Sequence, residues 1–160
     1  MRPRTPPPDR RPRRVLLADA ARARLFERDP DTGALRELLD DVHPASRLNA
    51  AARGHDRPGR GARGEQRVVF APTDEAARRE LQHFADEIAR QLEAAGGGRP
   101  LPWALLASSP FLGRLRQALA PAVAAALVLH RDLDLTALPL HALEPRLREL
   151  IPPGPPPGSE

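Results

Sequence analysis

The sequence predicts an α/β fold in which helices cover a mixed five-stranded sheet in the order 3-2-1-4-5. Three observations lead to this prediction. The first part of the chain holds short apolar runs separated by turn residues, which is typical of a strand meander. The second half alternates helical periodicity with short apolar runs, which is typical of parallel strands joined by helices. Right-handed crossovers then place the fourth strand beside the first and the fifth strand outside it.

Three strands are predicted for the meander. Residues 15–18 form a buried apolar run, and residues 23–28 alternate between the two faces of a sheet. The DPDTG sequence at 29–33 has the early proline and late glycine of a tight turn, so residues 35–42 return as the third strand. The LRELLDDV pattern of this last segment also fits one short helix.

The clearest helix is predicted to follow Pro72, with Thr73 as its N-cap and the glycine run at 96–98 as its end. One apolar face recurs at every third or fourth residue: Ala77, Leu81, Phe84, Ile88, Leu92 and Ala95. Residues 103–107 are apolar without interruption, which indicates a strand that is covered on both faces.

A second helix is predicted to have Ser109 as its N-cap and Pro110 at its first position. Residues 127–130 then form the last strand, and residues 137–150 form a final helix that its prolines start or break. A short apolar run at 68–70 is a further strand candidate. This order of elements is the ribonuclease H-like topology.

Composition divides the chain into one α/β domain, residues 14–151, and three segments that are poor in apolar side chains. Residues 1–13 and 152–160 are rich in proline and are predicted to be disordered tails. Residues 44–66 are predicted to be a flexible basic loop. Its second half, RGHDRPGRGARGEQ at 53–66, holds no aliphatic side chain larger than alanine, so burial cannot offset the entropy of ordering it.

Charge is distributed unevenly along the chain. All 25 basic residues are arginine, and the formal net charge is +4. Residues 1–14 carry +5 and residues 44–67 carry +4, which leaves −5 for the remainder. Flexible basic segments attract polyanions and acidic surfaces, and they are also common as solvated tails or as loops that are merely disordered.

We therefore predict a non-enzymatic binding module whose basic loop contacts RNA, the ribosome or another anionic partner. Guanidinium groups bind phosphates in bidentate geometry. The predicted binding residues of the loop are Arg53, Asp56, Arg57, Gly59, Arg60 and Arg63. The loop has no aromatic residues on which bases could stack, which argues against sequence-specific binding of single-stranded RNA.

A second candidate site lies where the parallel strands end, because ligands of open α/β sheets gather at that edge. The residues of this predicted sheet-edge pocket are Asp19, Arg22, Ser108, Ser109 and His130. Asp19 with Glu80 or Glu87 would begin a two-metal nuclease site, but the fourth strand ends in serines where another acid is needed. We therefore expect Asp19 to cap a turn.

A serine nucleophile at Ser109 would need His130 as its base, and the chain has no GxSxG elbow. The sequence at 108–110 is an anion-friendly helix start, for which plain N-capping is the simpler interpretation. The chain has no cysteine, and its five histidines share no ligand-like spacing. We predict no catalytic residue, no metal and no cofactor, with a divergent hydrolase at the sheet edge as an alternative.

No secretory pattern is visible at the start of the sequence. The longest uncharged apolar run, residues 118–129, has 12 residues and contains a proline, which is too short to span a bilayer. A cytoplasmic protein without a membrane span is therefore expected.

Several stretches together resemble the bacterial host attachment protein family, in its order over about residues 14–150: VLLADAARARLFE, HPASRL, HDRPGR, FADEIARQLE, LLASSPFLGRLRQAL and HRDLDLTAL. The resemblance implies a direct or indirect role in attachment to host cells, with a host or envelope component as partner. It also implies that HDRPGR, at 55–60, lies on an interaction arm.

The same resemblance implies a fold related to the middle domain of archaeal and eukaryotic class I peptide release factors. That domain carries a Gly-Gly-Gln tip, whereas residues 64–66 of this chain are Gly-Glu-Gln. Because the second glycine is missing, the resemblance does not imply peptide release.

Overall fold

A five-stranded mixed sheet forms the centre of the computed structural model, which describes residues 8–43, 74–96 and 99–155. The described elements, in chain order, are β1 (Arg14–Ala18), β2 (Arg22–Arg28), β3 (Leu35–Val42), α1 (Asp74–Ala95), β4 (Trp103–Ala107), α2 (Phe111–Ala118), α3 (Pro121–Ala126), β5 (Leu127–Asp132) and α4 (Leu140–Leu150).

The strand order is β3-β2-β1-β4-β5, as the sequence predicts. β1 and β2 are antiparallel, as are β2 and β3, whereas β1, β4 and β5 run parallel. The α/β class and the order 3-2-1-4-5 are therefore confirmed. The closer likeness to ribonuclease H and to the release-factor middle domain stays a prediction.

The third strand is a strand and not a helix, and a bulge explains its ambiguous pattern. Leu39 pairs with Leu25, and Phe26 pairs with Glu37, so the register passes over Leu38. The bulge leaves Leu38 40% exposed.

This extra residue changes which face the strand presents. Side chains alternate along a strand, so Leu35 and Leu39 would share a face if the ladder were regular. With the bulge between them, Leu35 packs in the core on one side of the sheet and Leu39 packs on the other side. Their spacing of four residues is therefore compatible with a strand.

Two apolar cores lie on opposite faces of the sheet. On one face, side chains of β1, β2 and β4 pack against α1, α2 and α3, with Phe84, Ile88, Phe111 and Leu115 fully buried. On the other face, Val15, Leu17, Phe26 and Leu106 are buried against Leu143 and Leu147 of α4. The alternation of neighbouring residues along β1 and β4 supplies both cores, which accounts for their uninterrupted apolar sequences.

The helices differ from the predictions in several details. On α1, Ala77 and Ala95 are exposed, and Ala85 and Ala89 complete the buried face instead. The short helix α3 was not predicted; Pro121 opens it and only Val123 is buried. None of the described helices is long and apolar enough to cross a membrane.

Two predicted helix starts are also wrong. α2 begins at Phe111 with Pro110 as its N-cap and no side-chain cap, so Ser109 does not cap it. The final helix begins at Leu140 and not at 137; Pro139 is its N-cap, so one of the two prolines starts it as predicted, whereas the helix continues through Pro145. The predicted cap at Thr73, the strand candidate at 68–70 and the basic loop at 44–66 lie outside the described residues.

Candidate functional site

The parallel strands end side by side, which brings the predicted edge residues to one end of the sheet. Ala18 at the end of β1 is paired with Ala107 at the end of β4, and Ala107 is paired with Asp132 at the end of β5. The residues that follow, Asp19 and Ser108, therefore lie at the same edge. The backbone N–H of Ser108 donates to the Ala18 carbonyl at 3.3 Å.

Asp19 caps the turn between β1 and β2, as expected from the sequence. Its Oδ1 accepts hydrogen bonds from the backbone N–H groups of Ala21 at 2.7 Å and Arg22 at 2.8 Å. Its Oδ2 accepts a hydrogen bond from the hydroxyl of Thr136 at 3.1 Å. These bonds shape the local turn and tie it to a segment more than a hundred residues later in the chain.

Asp134 lies beside Asp19 and Thr136, although it was not predicted as a site residue. Its Oδ1 lies 2.6 Å from the Thr136 hydroxyl and accepts the Thr136 backbone N–H at 3.0 Å. Burial alone would raise the pKa of Asp134, but the hydrogen bonds from Thr136 hold that pKa below its ordinary value. The Asp-x-Thr spacing, which favours such local bonds, was the available sequence signal.

Arg22 is held in place by a bidentate pair. Its Nε and Nη2 donate to the two oxygens of Asp40 at 2.7 and 2.6 Å, and its Nη1 donates to the Thr136 carbonyl at 3.4 Å. The hydrogen bonds that Arg22 donates to Asp40 hold the pKa of Asp40 below its ordinary value and raise the pKa of Arg22. Arg22 therefore joins β2, β3 and the Asp134–Thr136 turn.

Ser109 pairs with an aspartate and not with a histidine. Its hydroxyl donates to Asp132 Oδ2 at 2.7 Å, and its backbone N–H donates to Asp132 Oδ1 at 3.2 Å. His130 lies exposed on β5, opposite Leu105 in the register. The hydrogen bond between Ser109 and His130 that a serine nucleophile would need is not formed in the structure.

His43 is a further residue of this edge that the sequence analysis missed. It follows β3, donates its backbone N–H to the Ala21 carbonyl at 2.8 Å and is only 7% exposed. Its ring stacks on Phe84 of α1 with 4.8 Å between centroids, and its Nε2 lies 3.4 Å from Oε2 of Glu80. Within the described part of the chain, neither ring nitrogen has a hydrogen-bond partner.

These contacts locate both ends of the segment between β3 and α1. His43 is the last described residue before residues 44–73, and Glu80 lies within the first two turns of the helix that follows them. Because the two side chains touch, the end of β3 lies beside the first two turns of α1.

The carboxylates considered for a metal site do not gather around Asp19. Glu80 contacts His43, and Glu87 is exposed on α1. Within residues 8–43, 74–96 and 99–155, no group of three or more histidine, cysteine, aspartate or glutamate residues could hold a metal ion. The loop residues Arg53, Asp56, Arg57, Gly59, Arg60 and Arg63 lie outside the described residues.

A family model described as "protein required for attachment to host cells" matches residues 14–147, which run from β1 into α4 and include residues 44–66. No curated protein matches the chain. Because the family model covers most of the sequence, the chain belongs to the family of proteins required for attachment to host cells.

Proposed function

We propose that the protein acts in attachment to host cells as a non-enzymatic binding module, with residues 44–66 as the segment that contacts a host or envelope component. The observation that carries this proposal is the family match over residues 14–147, which extends across the whole segment. The family supports the role in attachment, and charge and geometry support the assignment of the contact to this segment.

The geometry supports this segment because the described elements that come before and after residues 44–73 contact each other. The His43 ring is stacked on Phe84, which is itself 1% exposed in the core. Glu80 meets the same ring from α1. Contact segments are commonly loops that a rigid scaffold positions, and here the scaffold is the sheet together with α1.

The charge pattern indicates what the segment would contact. Residues 44–67 carry a formal charge of +4. The part of the chain that excludes both this segment and residues 1–14 carries −5. An anionic partner is therefore attracted to the basic segment and repelled by the remainder. Phosphate, sulfate and carboxylate groups all suit the guanidinium fork.

The experiment is an adhesion assay with a strain that lacks this protein and is complemented by variants. We expect the strain without the protein to attach poorly and the wild-type chain to restore attachment. The double variant Arg57→Ala/Arg60→Ala should restore it much less. The matched control is Arg79→Ala/Arg146→Ala, because these two arginines are exposed on described helices and form only surface ion pairs.

The outcomes separate the two parts of the proposal. Normal attachment without the protein would contradict the role in attachment. Full restoration by the loop variant would contradict the assignment to residues 44–66 and leave the family role intact. Equal losses of attachment in the loop variant and the control would indicate a general effect of arginine content and would also contradict the assignment to residues 44–66.

The second candidate function is binding of RNA or the ribosome in the cytoplasm, which the same arginines favour. In that case the effect on attachment would be indirect. Sedimentation of the protein with ribosomes over a salt series tests this candidate, because phosphate contacts make affinity fall steeply with salt. Binding with a salt slope that Arg57→Ala/Arg60→Ala reduces would support it, and fractionation that places the protein outside the cytoplasm would contradict it.

The contacts at the sheet edge favour structural roles over a hydrolase. The carboxylate of Asp19 is used by two backbone N–H groups and the Thr136 hydroxyl. The hydroxyl of Ser109 is used by Asp132. Each of these side chains closes a junction between elements that are distant in sequence, which is what a rigid scaffold for a contact segment requires.

A further inference from the structure

A groove of about 500 Å³ lies at the end of the sheet opposite the candidate site. The segment before β1, the end of β2, the β2–β3 turn and the start of β3 form its walls. Its charged lining residues are Arg11, Arg13, Glu27, Arg28, Asp29, Asp31 and Arg36. A volume of this order is typical of pockets for small molecules.

Two of the four arginines of the groove are neutralised within the described chain. Arg11 donates to Asp9 of its own segment at 2.8 Å and to Asp31 of the β2–β3 turn at 2.7 Å. Arg36 pairs with Glu27 across the strands. These two cations already have carboxylate partners.

Arg28 is different because it is buried without a carboxylate partner in the described residues. Its side chain donates to two carbonyls, from Nη1 to Pro12 at 3.2 Å and from Nη2 to Ile151 at 2.6 Å. The residue is 2% exposed, and its Nε has no hydrogen-bond partner among the described residues. The nearby carboxylate of Asp29 instead accepts the backbone N–H groups of Asp31 and Thr32.

The environment of Arg28 opposes its charge. Burial lowers the pKa of Arg28, and the neighbouring cations of Arg11 and Arg148 add to this effect, while Asp29 acts in the opposite direction. A buried charge that meets only carbonyl dipoles is costly compared with one that meets a counter-ion. An anion in the groove would reduce that cost.

Arg13 supplies a second cation, and its one carboxylate contact among the described residues is long. Its carboxylate contact is with Asp9 at 3.8 Å, and that carboxylate is already bound by Arg11 at 2.8 Å. The Arg13 side chain is 47% exposed, so it can turn toward a ligand. Its backbone carbonyl accepts the N–H of Arg28 at 2.8 Å, which places the two residues side by side.

We propose that this groove binds a small molecule through an oxyanion, a phosphate or carboxylate group, held by Arg13 at its rim and by the charge of Arg28 beneath it. Pro30, Leu35 and Leu101 line the same groove and would contact an apolar part of the ligand. The described lining lies at the end of the sheet opposite His43 and Glu80, and the titration below tests it independently of the attachment segment.

The test is a nuclear magnetic resonance titration of the full chain with inorganic phosphate and, separately, with citrate. We expect saturable shifts of the arginine Nε–Hε signals of Arg13 and Arg28 and of the backbone signals at 29–36. Saturation by phosphate alone assigns the ligand to the phosphate class, and saturation by citrate alone assigns it to the carboxylate class; saturation by both assigns it to oxyanions in general.

Substitution separates this site from general binding to a basic protein. Arg13→Gln removes the exposed cation, and we expect the affinity to fall about tenfold, the range of one charge-assisted hydrogen bond. Arg146→Gln is the matched control, since Arg146 is 45% exposed and also pairs with a surface carboxylate. No saturable binding of either probe, or an equal weakening in both variants, would overturn the proposal.

Discussion

Replacing Arg24 with methionine should destabilise the protein far more than replacing an exposed arginine of the same sheet. Arg24 is 5% exposed on β2, and its Nε donates to Glu37 at 2.9 Å. Its Nη1 donates to the carbonyls of Thr136 at 3.2 Å and Leu138 at 2.6 Å. The guanidinium also lies 5.0 Å from the centre of the Phe26 ring. One side chain thus joins the sheet to the segment that precedes α4.

The magnitude follows from the groups that lose their partner. Methionine fills much of the space but donates no hydrogen bond, so two carbonyls lose this donor at about 1–3 kcal/mol for each buried group. The Thr136 carbonyl keeps a longer bond from Arg22 at 3.4 Å, and Glu37 is 34% exposed and regains water. We therefore expect a loss of about 3 kcal/mol in the free energy of unfolding, equivalent to a fall of about 10 °C in Tm for a chain of this length.

Urea denaturation followed by circular dichroism measures this difference. The control is Arg36→Gln, because Arg36 forms an ion pair with Glu27 in which the side chains are 74% and 48% exposed. Exposed pairs contribute about 0–1 kcal/mol, so this variant should unfold close to the wild-type midpoint. If Arg24→Met costs no more than Arg36→Gln, the argument that buried arginines join the sheet to the C-terminal part is wrong.

Two further predictions concern acid stability and backbone conformation. The hydrogen bonds from Arg22 lower the pKa of Asp40 below 3.8, so the stability that this carboxylate contributes is present above about pH 4 and is lost as the pH falls. Asp40→Asn should therefore reduce the loss of urea resistance between about pH 5 and about pH 3. An unchanged pH dependence in this variant would contradict the prediction. Gly33 has φ of +79°, and an added Cβ would lie 2.9 Å from Cγ of Arg148, so Gly33→Ala should lower the free energy of unfolding by about 1–2 kcal/mol. Gly113 lies in α2 with nothing within 4 Å of an added Cβ, so Gly113→Ala should raise the free energy of unfolding by about 0.5–1 kcal/mol. If thermal unfolding shows that the Tm values of the two glycine variants shift in the same direction, the comparison is wrong.

The strand order could be predicted because it depends on local patterns and general rules of chain connection. β1, β2 and β4 are short apolar or alternating runs, and right-handed crossovers then leave few arrangements. The predictions that were wrong concern features that depend on contacts between distant parts of the chain. Ser109 has the chemistry of an N-cap, but Asp132 on the neighbouring strand takes its hydroxyl, and the helix begins at Phe111 without it.

The residues at the sheet edge also include local contacts that could be predicted and distant contacts that could not. Asp19 could be predicted to cap a turn, because its Oδ1 bonds go to residues two and three positions ahead. Its bond to Thr136 spans 117 positions, and no periodicity or motif in the sequence relates the two residues. His43 was likewise missed, since a histidine after a strand indicates neither the ring of Phe84 nor the carboxylate of Glu80 that it meets in the fold.

Arginine composition alone does not separate structural from binding residues in this chain, whereas the structure shows structural contacts for the arginines of β2. Arg22, Arg24 and Arg28 all lie on β2, and each donates to carbonyl groups of segments distant in sequence. Their alternate positions place all three on the face of the sheet that α4 covers. β2 therefore uses guanidinium groups where another strand would use apolar side chains, because a planar group with five donors can satisfy several carbonyls at once. The arginines of 44–66 are surrounded in sequence by glycine and small residues, which supply no such core. We therefore keep binding as the proposed use of arginine in that segment. The arginines of β2 join the sheet to the segments on either side of α4, and Arg28 does so beneath the proposed oxyanion groove.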